Sequence, residues 1–258
     1  MSIQELYSLE GKVAVVIGGT GVLAGEMAQG MAEAGADIVI VGRDLTKAEA
    51  RAEKIRATGR RAVVSMADAT NKSHIEGILA TTLESFGRAD ILLNAAGVNS
   101  GTPFFEITEE EWHRIINVDL TSVFLTCQIF GKHMVQSGLG GSIINISSAS
   151  SDPPLSKVFT YSVAKGGVNQ ITKFLAREFA PHKVRVNAII PGFFPAEQNR
   201  KLLTPERTAQ ILGHTPMNRF GEAKELIAAT LFLASENASS FVTGSIVRVD
   251  GGFSCMTI

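Results

Sequence analysis

The sequence predicts an α/β fold: a doubly wound, seven-stranded parallel sheet covered by helices on both faces, in a single domain. Three observations lead there. Short runs rich in Val and Ile alternate, almost from end to end, with segments whose apolar residues fall at helical spacing. The short runs are apolar throughout, as strands buried on both faces are. No Pro- or Ser-rich linker, composition break or internal repeat divides the 258 residues, and a hydrophobic content of 45% supplies a sizeable core.

The first strand candidate is KVAVVIG (Lys12–Gly18). It runs directly into IGGTGVLAGE (Ile17–Glu26), a glycine-rich loop that opens a helix near Val22. Two registers are open. Gly19, Gly21 and Ala24 give G-x-G-x-x-A, whereas Gly18 as the first glycine gives G-x-x-G-x-x-A. Glycine permits positive φ and leaves room for a phosphate beside bare N–H groups. Gly18, Thr20, Gly21 and Val22 are therefore the candidate pyrophosphate contacts, and Ala24 is small enough for the helix to pack on the strand.

The second strand, DIVIVG (Asp37–Gly42), ends in VGRD. An enzyme that selects NAD usually places an acid here for the ribose 2′-hydroxyl. This chain has Gly42 and then Arg43, and a guanidinium can grip a 2′-phosphate with two bonds. The expected cofactor is NADP(H), with NAD(H) as the alternative. Strands RAVVSM (Arg61–Met66), DILLN (Asp90–Asn94), SIINIS (Ser142–Ser147), VRVNAII (Val184–Ile190) and SIVRV (Ser245–Val249) follow. Helical spacing fills Thr46–Thr58, Asn71–Phe86, Thr108–Ser137 and Phe159–Pro181 between them. Phe193–Gly221 breaks the rhythm with three prolines and many polar residues, and reads as a substrate lid at the carboxyl end of the sixth strand.

Tyr161 and Lys165 stand in YSVAK, four residues apart at the start of a helix, on one face. A phenol ionises only near pH 10, and a neighbouring ammonium lowers that value. Such a tyrosine can protonate a carbonyl oxygen or deprotonate a hydroxyl. Ser148 lies thirteen residues earlier, at the end of a strand, where its hydroxyl can hold the same oxygen.

Composition excludes other classes. With 24 basic and 25 acidic residues, nothing favours nucleic acid or an anionic membrane as a partner. No apolar stretch is long enough to span a bilayer. The five histidines show no paired ligand spacing, so no metal site is expected, and the two well-separated cysteines fit a reducing cytoplasm.

The chain resembles the short-chain dehydrogenase/reductase family of single Rossmann domains over essentially its whole length. The residues that carry the resemblance are the glycine loop, Asp68 in MADAT, Asn94-Ala-Ala-Gly97, Ser148, Tyr161, Lys165, Pro191-Gly192 and the closing VTGSIVRVDGGF. The resemblance implies a 3-2-1-4-5-6-7 strand order, hydride transfer from a nicotinamide and a homotetramer. It also implies Asp68 and Ala69 beside the adenine, cofactor contacts from Asn94, Gly97, Pro191 and Gly192, and Lys165 on the nicotinamide ribose. Three residues depart from the family pattern. Ile17 replaces a threonine, N-A-A-G replaces N-N-A-G, and Asp119 in NVDLTSVF stands where the catalytic asparagine would be. Reduced or retuned relay chemistry, with turnover retained, is the expectation at Asp119.

Within the family, PGFFPAEQNRKLL and TPMNRFG resemble the D-mannonate oxidoreductase (fructuronate reductase-like) branch, with gluconate 5-dehydrogenases a looser relative. Gln198 and Arg200 are the substrate candidates, because amides and cations suit a polyhydroxylated carboxylate. Asn199, Lys201, His214 and Arg219 add to that character, while Phe193 and Phe194 read as pocket walls. The expected reaction interconverts a keto-aldonate and its hydroxy acid. The competing readings are a 3-oxoacyl-carrier-protein reductase, a general carbonyl reductase, or a dinucleotide-binding protein without turnover.

Overall fold

The computed structural model describes residues 1–195 and 203–256. A seven-stranded sheet of β1 (Val13–Ile17), β2 (Asp37–Gly42), β3 (Ala62–Met66), β4 (Ile91–Asn94), β5 (Gly141–Ile146), β6 (Val184–Pro191) and β7 (Ile246–Val249) runs in the order β3-β2-β1-β4-β5-β6-β7. Every pairing is parallel, with Val15 opposite Val39 on one side and Leu92 on the other. The seven expected strands are all present, each within a residue or two of its expected ends.

The helices are α1 (Ile3–Tyr7), α2 (Val22–Glu33), α3 (Leu45–Arg56), α4 (Lys72–Phe86), α5 (Glu109–Ile116), α6 (Ser122–Ser137), α7 (Phe159–Phe179), α8 (Pro205–Gly213), α9 (Ile227–Ala234) and α10 (Glu236–Ser239). Because side chains alternate along a strand, β1 feeds two cores. Ala14 and Val16 join Met27 and Met31 of α2, Ile55 of α3 and Leu233 of α9. Val13, Val15 and Ile17 join Ile75 of α4, Phe130 of α6 and Val168 of α7 on the other face.

The helical stretch Thr108–Ser137 is not one helix. Between α5 and α6 lies a π-turn over Asn117–Thr121, closed by the Ser122 N–H donating to the Asn117 carbonyl. The Ser122 hydroxyl satisfies the Val118 carbonyl at 2.6 Å. The helical period continues on each side of the inserted residue, so the period alone does not register the break. The turn aims Asp119 inward, where it is fully buried.

A cleft of about 950 Å³ opens at the carboxyl ends of the strands. It lies where the chain reverses direction across the sheet, between β1 and β4.

Candidate active site

The glycine loop settles its register through its neighbours. Gly18 has φ +77°, and a Cβ there would lie 2.8 Å from the Ala96 nitrogen. Gly21 instead caps α2 with φ −70°, and its nearest obstacle to a Cβ is the Gly18 carbonyl at 3.3 Å. The turn therefore needs a glycine at Gly18 for its backbone conformation, while Gly21 has an ordinary φ and a bare α-carbon beside the cleft. Gly21 offers no side-chain cap to α2, so the first N–H groups of that helix face the cleft free to meet a phosphate.

At the end of β2, a Cβ on Gly42 would lie 2.4 Å from Thr20 Cγ2. The threonine of the loop thus occupies the space that an acidic side chain would need there. Asp44, the nearest acid, caps α3 by accepting the Lys47 N–H at 3.0 Å. Arg43 is exposed, lines the cleft and makes no ion pair among the described residues. Asp68 accepts the Thr70 N–H at 2.9 Å and its hydroxyl at 2.7 Å. These bonds, with Arg43 nearby, hold the Asp68 carboxyl below its usual range. Ala69, Pro191 and Gly192 also line the cleft, and Gly192 is bare because a Cβ would lie 2.6 Å from the Asp250 Cα.

Ser148, Tyr161 and Lys165 come together on the cleft wall. Ser148 lies two residues beyond β5 and accepts from Ser150 through both its N–H (3.2 Å) and its hydroxyl (3.0 Å). Lys165, one turn beyond Tyr161 on α7, is almost fully buried. Its Nζ lies 5.5 Å from the Tyr161 ring centre, donates to the Ile146 carbonyl at 3.1 Å and sits 3.3 Å from Asp119 Oδ1. Asp119 Oδ2 accepts the Val98 N–H at 2.9 Å.

Burial is the largest influence on each of these groups. It raises the Asp119 carboxyl, opposed by the Lys165 ammonium. It works to lower Lys165, but the charges of Asp119 and Tyr161 outweigh it and the net shift is upward. For Tyr161 the net is also upward: burial raises it, Lys165 lowers it, and the Asp119 carboxylate raises it again. A lowered phenol was expected from Lys165 alone. Desolvation, with the partial cancellation of Lys165 by Asp119, reverses that expectation.

The structure places the Asn94 side chain away from the cleft. The Asn94 amide donates to Asn145 Oδ1 at 2.9 Å and its oxygen accepts the Thr126 hydroxyl at 2.8 Å, all in the core. Its side chain ties β4, β5 and α6 together below the cleft floor, so its service to a cofactor is to hold that floor. Gly97 does line the cleft, and it is bare for a second reason: a Cβ would lie 2.7 Å from Asp119 Oδ1. The substrate candidates Gln198 and Arg200, with Asn199 and Lys201, lie outside the described residues. Arg219 is committed to Glu225 through bonds of 2.8 and 2.6 Å, and His214 packs edge-on against Phe253. Phe193 and Phe194 do line the cleft. Sequence reasoning missed Lys157 and Arg207, which line the same cleft as Tyr161. An unpaired lysine four residues before Tyr161 was the available signal for the first.

A family model described as enoyl-(acyl carrier protein) reductase matches residues 21–254. The chain is also 38% identical to the 2-dehydro-3-deoxy-D-gluconate 5-dehydrogenase of Escherichia coli (strain K12), with 97% of this chain and 98% of that protein covered. The chain belongs to the short-chain dehydrogenase/reductase family. It is an NAD(P)-dependent oxidoreductase of that family, and its strand order is the one the resemblance implied. A gluconate 5-dehydrogenase from Burkholderia cenocepacia J2315, in complex with NADP and tartrate, superposes with a TM-score of 0.94 at 32% identity, covering 99% and 100% of the two chains. A structure assigned to a D-mannonate oxidoreductase from Haemophilus influenza, with bound NAD, gives 0.91 at 32% identity, covering 99% of both. Among the described residues, no helix is long and apolar enough to cross a membrane, and no cluster of ligands could hold a metal ion.

Proposed function

We propose that this enzyme interconverts a keto-aldonate and its hydroxy acid, prefers NADP(H), and works as a cytoplasmic homotetramer. One observation carries the substrate class. Seven Lys and Arg side chains line the cleft, and Asp68 is its one lining carboxylate among the described residues. A concave site of one sign draws in anionic ligands. The relatives named for gluconate-type sugar acids support the same class.

The residues fit a dinucleotide. Gly18, Thr20, Gly21 and Val22 would hold the pyrophosphate, Arg43 the 2′-phosphate, and Asp68 and Ala69 the adenine. Gly97, Pro191 and Gly192 would bound the nicotinamide half, and Lys165 and Tyr161 its ribose. When bound, the dinucleotide supplies hydride chemistry at the carbonyl carbon. The Ser148 hydroxyl donates to the carbonyl oxygen and orients it. Tyr161 gives that oxygen its proton in reduction and takes it back in oxidation. Lys165, anchored by Asp119 and the Ile146 carbonyl, keeps a positive charge beside the phenol.

The tetramer reading rests on the outer faces of α6 and α7. Phe124 and Phe174 are 49% and 61% exposed there, in an apolar groove bordered by Lys132 and Glu178. Opposite charges flanking an apolar strip suit a two-fold contact of a face with itself.

Absorbance of the reduced nicotinamide tests the reaction against keto-aldonates, neutral ketoses and acyl thioesters with both cofactors. Preference for ketoses or acyl thioesters would replace the sugar-acid reading with a general carbonyl or acyl-carrier reductase. For the cofactor, Arg43→Ala is expected to weaken NADPH by roughly one to two decades and NADH hardly at all, since a charge-assisted bond contributes about 1.5–3 kcal/mol. Equal losses for both would reduce Arg43 to a surface residue.

A further inference from the structure

The geometry points to a carboxylate subsite built by Lys157 and Arg207 at the reacting end of the cleft. It rests on the sugar-acid reading and supplies the recognition that this reading lacks. Lys157 lies in the turn before α7, four residues ahead of Tyr161, and Arg207 lies on α8, fifty residues further along the chain. The fold brings Arg207 onto the residue that precedes Lys157, and both cations line the cleft. Arg207 Nη1 donates to the Ser156 hydroxyl at 2.9 Å and Nη2 approaches the Ser156 carbonyl at 3.4 Å, so the guanidinium is seated on the residue next to Lys157.

Neither cation has a carboxylate partner among the described residues. Asp68, the one acid lining the cleft among the described residues, is assigned above to the adenine. Two cations lining one cleft without an acidic partner suit an anionic group of the ligand. The seat on Ser156 uses one N–H of each terminal guanidinium nitrogen, leaving three of the five donors of Arg207 for a ligand.

The backbone adds a second, independent sign. Lys157 has φ +68°, a left-handed conformation uncommon for a residue with a side chain. Strain of this kind is retained where the surroundings over-determine it, and it concentrates at ligand sites. Here the turn is pinned on both sides. Leu155 packs on the Ala149, Ile190 and Phe253 cluster, and Val158 is buried. The backbone of the lysine is therefore fixed relative to Tyr161, which lies in the first turn of α7. A keto-aldonate with its carbonyl at Ser148 and Tyr161 would place its carboxylate on these two cations.

The test compares kcat/KM for a keto-aldonate with that for a neutral ketose of the same chain length, in the full-length enzyme. Lys157→Gln and Arg207→Gln should each lower the acid-to-ketose ratio by roughly tenfold or more, and the double variant further, as loss of a charge-assisted bond implies. NADPH titration by fluorescence establishes that each variant is folded. A second measurement needs no variant: an aldonate should inhibit the wild-type enzyme at least about tenfold more strongly than its neutral amide, with the advantage shrinking as salt is added. If the wild type reduces keto-aldonates but both single variants keep the wild-type ratio, or the amide inhibits as well as the acid, the subsite is overturned while the sugar-acid reading stands. If the wild type prefers ketoses or acyl thioesters, the sugar-acid reading itself fails, and this subsite with it.

Discussion

At the residue scale, Asp119 sets the chemistry apart. A fully buried carboxylate is costly unless paired, and here Lys165 and the Val98 N–H meet it. The same carboxylate raises the Tyr161 phenol and cancels part of the ammonium that would lower it. Asp119→Asn removes that negative charge and should lower the Tyr161 pKa. Alcohol oxidation rises with pH as the phenol loses its proton, so the rising limb of its kcat/KM profile should start at lower pH in the variant. A limb that stays in place or moves upward would show that Asp119 does not act on Tyr161. The asparagine still accepts from Val98, which separates this electrostatic effect from loss of the loop contact.

At the element scale, the glycine loop is shaped as much by β4 as by its own sequence. Gly18 needs its left-handed φ because the chain passes within contact of Ala96, while Gly21 has an ordinary φ and caps α2. Gly18→Ala should therefore destabilise the protein without any cofactor present. A left-handed alanine costs roughly 1–2 kcal/mol before the collision is counted, and 1 kcal/mol shifts Tm by about 2–4 °C in a domain of nearly this size. Gly21→Ala should keep nearly the wild-type Tm and lose affinity for the dinucleotide, since its Cβ would stand beside the phosphate seat. Thermal denaturation followed by cofactor titration separates the two. Equal Tm values for wild type and Gly18→Ala would return the turn to the other register.

At the scale of the whole molecule, the sheet buries both faces, yet α6 and α7 present Phe124 and Phe174 to the outside. If that face is the contact between copies, Phe174→Glu puts charge into an apolar interface and should yield a smaller species by sedimentation, with the far-ultraviolet spectrum unchanged. A variant that sediments like the wild type would place the contact elsewhere. The cleft lies on another part of the surface, so cofactor titration of the variant also reports whether assembly supports the site.

The sequence by itself determined the seven strands, the glycine loop between β1 and α2, and the Tyr161–Lys165 spacing. Each is written in local periods of two or of 3.6 residues, or in a turn that needs glycine. Arg43 was legible for the same reason, since it follows a strand end directly. Only the tertiary structure decided what depends on residues distant in the chain. Ala96 placed the positive φ at Gly18, and Thr20 explained the bare Gly42. Asn145 and Thr126 drew the Asn94 side chain into the core, away from the cleft. The π-turn escaped the pattern because the helical period continues on each side of the inserted residue, and it put Asp119 against Lys165. Arg207 reached the turn before α7 for a similar reason: its seat on Ser156 spans 51 residues, and such long-range closure leaves no trace in a local spacing.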